Sequence, residues 1–84
     1  MRIYSVNVKD HKWYGCYTKF IVLGETINDM LENLYKELFP DGEDIPYYLR
    51  SSNFEIICLG EFVPDEKIKS KLNKVICSNY LRED

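Results

Sequence analysis

A chain of 84 residues with 45% hydrophobic, 14% aromatic and 30% charged side chains describes one small domain, residues 1–84, able to bury its own core. No apolar run approaches bilayer length, which excludes a spanning helix, and a formal net charge of −3 leaves any nucleic-acid affinity local at best. Cys16, Cys58 and Cys77 are odd in number, lack paired spacing and sit in apolar patterns, so buried reduced thiols are expected. With a strand-like opening and no signal-peptide pattern, the chain reads as cytoplasmic.

Residues 2–8, RIYSVNV, alternate: Tyr4, Val6 and Val8 share one face, Ile3, Ser5 and Asn7 the other, as in a half-buried strand. Polar residues Lys9 to Lys12 form a turn. A second strand follows from Trp13 to about Leu23. Its alternation puts Tyr14, Cys16, Thr18, Phe20 and Val22 on one face and Trp13, Tyr17, Lys19 and Ile21 on the other. Gly15 marks a bulge or strong twist.

The stretch Thr26 to Phe39, TINDMLENLYKELF, is the clearest element. Ile27, Met30, Leu31, Leu34, Tyr35 and Leu38 recur at helical spacing and form one apolar stripe. Thr26 can cap the first turn by accepting from the amide of Asp29, whose charge suits the helix dipole. Glu32 and Lys36 form an i,i+4 pair, and Pro40, Asp41 and Gly42 stop the helix.

Between Pro40 and Ser52 the chain begins polar and turns aromatic. Ile45, Tyr47, Tyr48 and Leu49 fit either a short extended segment or one helical turn. Phe54 to Leu59, FEIICL, is apolar on both faces and reads as a well-covered, central strand ended by Gly60. Beyond Pro64, Ile68, Leu72, Val75, Ile76 and Tyr80 follow helical spacing, so a second helix is predicted over about Asp65 to Tyr80, with Lys67, Lys71 and Lys74 on another face. The expected fold is α+β, in the order β-β-α-β-α. Its mainly antiparallel three-stranded sheet has order 2-1-3 and is packed by the central helix and a C-terminal helix.

Three stretches resemble the small nonstructural, replication-associated proteins of gokushovirus-type single-stranded DNA phages. They are Ile3-Tyr4-Ser5-Val6, the Phe20 region ahead of an amphipathic helix, and Phe54-Glu55-Ile56 followed by Leu59-Gly60-Glu61-Phe62. The resemblance spans about residues 3–62 and departs at Lys19 and at Val63-Pro64-Asp65. It implies a phage accessory protein connected with viral DNA replication, acting in the cytoplasm of a bacterial host.

Catalytic chemistry finds little purchase. His11 is the sole histidine, which excludes a two-histidine mechanism. Cys16 falls on an apolar alternation, and that favours packing over a Cys16–His11 nucleophile pair. Asp41, Glu43 and Asp44 lack the glycine and distal glutamate of a calcium loop. No enzyme, metal site or cofactor is expected.

Two surfaces suit binding. Residues 25–44 carry seven acids against Lys36 alone, and Asp29, Glu32, Glu37, Asp41, Glu43 and Asp44 form an acidic helix and loop. Such a segment suits a host or phage protein with a basic surface, in an inhibitor-like or anti-defence role. The alternative is a single-stranded nucleic-acid-binding replication accessory. It would use Lys12, Trp13, Tyr14, Tyr17 and Lys19 on the hairpin, rings stacking bases while cations follow phosphates. An open edge on the second strand, carrying Trp13, Tyr17 and Ile21, would support a homodimer through the sheet.

Overall fold

The computed structural model describes residues 1–9, 16–65 and 72–81, apart from the side chains of Cys16 and residues 79–81. The expectations for His11, Lys12, Trp13, Tyr14, Gly15, Lys67, Ile68 and Lys71 fall outside those residues. Among the described residues, four strands and one α-helix follow in order: β1 (Arg2–Val8), β2 (Cys16–Gly24), α1 (Ile27–Leu38), β3 (Phe54–Glu61) and β4 (Val75–Leu81). They form one sheet of order β3-β1-β2-β4, with every neighbouring pair antiparallel.

This α+β fold corrects the predicted three-stranded sheet and its second helix. Where Val75, Ile76 and Tyr80 were expected on a C-terminal helix, the chain runs as β4 along the outer side of β2. The run Val75-Ile76-Cys77 is β-branched and apolar, so it suits a strand as well as a helix. Long-range pairing decided between them: the amide of Leu23 donates to the Lys74 carbonyl at 2.7 Å, and Val75 stands opposite Val22.

The alternation of β1 explains the core. Tyr4, Val6 and Val8 are buried, opposite Val22 and Phe20 of β2 and Cys58, Ile56 and Phe54 of β3. Met30 and Leu34 of α1 are fully buried against this face. Leu31 and Ile56, expected among the buried residues, are only half-buried and pack at the margin of the core. The helix cap forms locally: the Asp29 amide donates to Thr26 Oγ1 at 3.1 Å, and the Phe39 amide donates to the Tyr35 carbonyl at 2.8 Å.

Three irregularities interrupt the register, at Thr18 of β2, Leu59 of β3 and Ile76 of β4. Tyr17 pairs with Tyr80 and Lys19 with Asn79, so Thr18 is an extra residue on β2. The bulge swings Tyr17 to the helix-covered face, where its ring lies 5.2 Å from that of Phe20. Along β3, Cys58 stands opposite Tyr4 and Gly60 opposite Ile3, which leaves Leu59 as the extra residue. Gly60 follows at φ +155, a conformation that L side chains rarely adopt.

β3 is an edge strand, as the order 2-1-3 placed it and against the reading of its apolar pattern as a central strand, and Glu55 and Ile57 to Glu61 are exposed. Apolar side chains on both faces had suggested two covering layers. Only the face toward α1 is covered there, and the central strands are β1 and β2.

Candidate functional site

The loop after α1 wraps back over the sheet, and three local features place it. Pro46 supplies φ −57 at the entry to a 3₁₀ turn over Tyr47–Leu49, which drops Leu49 into the core. The Tyr35 hydroxyl then donates to the Leu49 carbonyl at 2.7 Å. A second short turn, Ser51–Asn53, leads into β3, and Asn53 Nδ2 donates to the Tyr48 carbonyl at 2.9 Å.

Helix end and loop together enclose an open cleft of about 860 Å³, lined by Tyr35, Glu43, Asp44, Ile45, Arg50, Ser51 and Ser52. A smaller cleft of about 280 Å³ adjoins it, and both share Tyr35, Glu43 and Ile45. Glu32, Lys36, Phe39 and Gly42 complete the second. The floor is thus aromatic and aliphatic and the rim carries carboxylates. Arg50 is the cation of the larger cleft, and its guanidinium lies 5.5 Å from the centroid of the Tyr47 ring. Burial pushes the Tyr35 phenol above its ordinary pKa, so it stays a neutral donor.

The six predicted acids do not share one role. Asp29 Oδ2 accepts from the Glu25 amide at 2.7 Å and is spent on the helix start. Glu32 pairs with Lys36 at 3.3 Å, as the spacing implied. Glu37 lies on the flank toward β4, beside Asn73 and Val75. Asp41 is exposed on the turn after α1, while Glu43 and Asp44 line the cleft. Among the described residues, Glu37, Asp41, Glu43 and Asp44 have no ion pair. Tyr35, Ile45, Ser51 and Ser52 were missed as lining residues. The Pro46 turn was the signal that could have found them, because it folds the loop back on the helix.

The hairpin platform fares differently. Lys12, Trp13 and Tyr14 lie outside the described residues. Tyr17 packs beside Phe20 on the helix side, whereas Lys19 stands opposite Asn7 on the other face of the sheet. The bulge at Thr18 separates the two, so they do not form one stacking surface.

The outer side of β2 is covered by β4, which overturns the expectation of an open edge there. Cys58 and Cys77 are exposed, which overturns their expected burial. Cys58 keeps the inward phase of β3 but lies on the edge strand beside the extra residue Leu59, where it is exposed. Among the described residues no group of histidine, cysteine or acidic side chains is placed to hold a metal ion, and no helix is long and apolar enough to cross a membrane. No family model, no curated protein and no solved structure matches this chain.

Proposed function

We propose that the protein is a non-enzymatic binding module that engages a protein with a basic surface through the cleft at the end of α1. The observation that carries this reading is the cleft itself. Glu43 and Asp44 line it together with Tyr35 and Ile45 and make no ion pair among the described residues, while Arg50, the cation of the same cleft, sets its guanidinium over the Tyr47 ring. A lysine or arginine of a partner would lay its aliphatic stem along Tyr35 and Ile45 and set its cation between the carboxylates. Asp41 and Glu37 add long-range attraction, which raises the association rate and weakens with salt. An inhibitor-like role in a phage-encoded accessory protein, the context the family resemblance implies, is compatible with a surface of this kind. Self-association through a sheet edge passes from β2, now interior, to β3.

The test is affinity capture with the wild type and with an Asp41→Lys, Glu43→Lys, Asp44→Lys variant, beside binding to a labelled single-stranded oligonucleotide. The reading expects a basic protein partner that salt elutes and the variant fails to hold. A partner kept equally by the variant overturns it. Oligonucleotide binding with a steep salt slope in the wild type, lost in Lys19→Ala, would instead favour the nucleic-acid alternative.

A further inference from the structure

The outer side of β3 carries a row of backbone groups whose phase can be read from its pairing with β1. The Lys9 amide donates to the Asn53 carbonyl at 2.9 Å, so this opposed pair is a hydrogen-bonded one. Antiparallel pairs alternate, and the register is unbroken from Val8↔Phe54 to Tyr4↔Cys58. Glu55 and Ile57 therefore direct their amides and carbonyls toward β1. Phe54, Ile56 and Cys58 direct theirs outward, where no described strand meets them.

Edge strands are commonly protected by lysine, proline, an inward charge or a bulge. The stretch Phe54 to Cys58 has none of these, and its one charge, Glu55, is on the uncovered face. The extra residue Leu59 comes only after this stretch, leaving five regular residues with an open edge. Ile57, at 49% exposure, adds an apolar side chain that a lone sheet leaves in water.

The strand also complements itself. Outward groups at even positions require that even residues face even ones across a two-fold axis. Pairing Glu55 with Glu55, or Glu55 with Glu61, sets like charges opposite one another and is disfavoured. Centring the axis on Ile56 matches Phe54 with the copy's Cys58, Ile56 with Ile56, and Glu55 with Ile57, so that all five regular residues are used. The face shared with Tyr4, Val6 and Val8 would then be apolar throughout the junction, because Phe54, Ile56 and Cys58 all lie on it.

We infer that β3 is a homodimerisation edge: two copies join antiparallel about Ile56 and extend the sheet from four strands to eight. The inference is independent of the acidic cleft, which lies in the loop after α1. The dimer would be weak and concentration-dependent, since a single strand pair buries little area.

Charge at position 57 provides the test, because its side chain is exposed and its backbone is paired with Ser5 of β1. Sedimentation across a concentration series gives the oligomeric state of the wild type, Ile57→Glu and Ile57→Lys, and circular dichroism confirms folding of each. The Ile56-centred register sets residue 57 opposite the copy's Glu55, twice per dimer. Ile57→Glu should therefore weaken dimerisation about tenfold, whereas Ile57→Lys should retain or tighten it. A wild type that stays monomeric, or that grows past a dimer, overturns the inference. So does a dimer that both variants keep, or that both lose.

Discussion

Gly24 closes β2 where Met30 of α1 passes close to the strand, and its replacement by alanine tests that contact directly. A β-carbon on Gly24 would lie 2.5 Å from the Met30 amide nitrogen, 2.6 Å from Met30 Cα and 2.8 Å from Met30 Cβ. Backbone atoms cannot rotate aside as a side-chain tip can. The helix cannot easily retreat either. The Met30 amide donates to the Thr26 carbonyl at 2.9 Å, Asn33 Nδ2 donates to the Leu23 carbonyl at 3.0 Å, and the Met30 side chain is fully buried. Relief requires lifting the first turn from the sheet and opening the layer that Met30 and Leu34 fill. Overpacking of that kind costs about 1–3 kcal/mol, occasionally more. In a domain of this size each kcal/mol lowers Tm by about 4–8 °C. Urea titration and thermal melts followed by circular dichroism would measure it. Gly42→Ala is the control: Gly42 has φ +73 and open space around it, so it should lose only the roughly 1–2 kcal/mol of left-handed strain. A Gly24→Ala protein within about 0.5 kcal/mol of wild type would refute the close approach, since that is the range of ordinary surface substitutions.

Two further outcomes follow from the described side chains. Cys58 and Cys77 are exposed, so an aromatic disulfide reagent should label both promptly without denaturant, and Cys58→Ser should remove one prompt equivalent; slow labelling of both would contradict their placement. Burial raises the Tyr35 pKa, so the folded state holds that proton more tightly than the unfolded chain, whose tyrosine titrates near about 10. The Tyr35 contribution should be intact below that pH and decline as pH rises through the folded value. Denaturant midpoints measured across the alkaline range should show a shallower decline in Tyr35→Phe, and an unchanged slope would contradict the assignment.

The parts of this protein that the sequence determined by itself are those whose signals lie within a few residues of one another. Thr26, Asp29, Glu32 and Lys36 write the helix start and its ion pair between residues 26 and 36, and the structure shows both contacts. The alternation of Tyr4, Val6 and Val8 likewise names the buried face of β1, because a strand's period is intrinsic to its backbone. The carboxylates of the candidate site were legible as a composition bias, but their division among cap, ion pair and cleft was not. That division depends on where Pro46 turns the loop and where Tyr35 anchors it.

Tertiary structure alone decided the rest. Val75 and Ile76 satisfy a helical stripe and a strand equally well. What separates the two is the outer side of β2, some fifty residues away in sequence, whose hydrogen-bonding groups β4 satisfies. The same pairing makes β2 interior and leaves β3 at the edge, where the order 2-1-3 had already set it even though its apolar pattern suggested a central strand. The bulge at Thr18 turns Tyr17 away from Lys19, and one inserted residue is enough because side chains alternate with a period of two. Local chemistry writes caps and phases, whereas the choice of neighbour depends on which unpaired backbone groups remain once the other elements are in place.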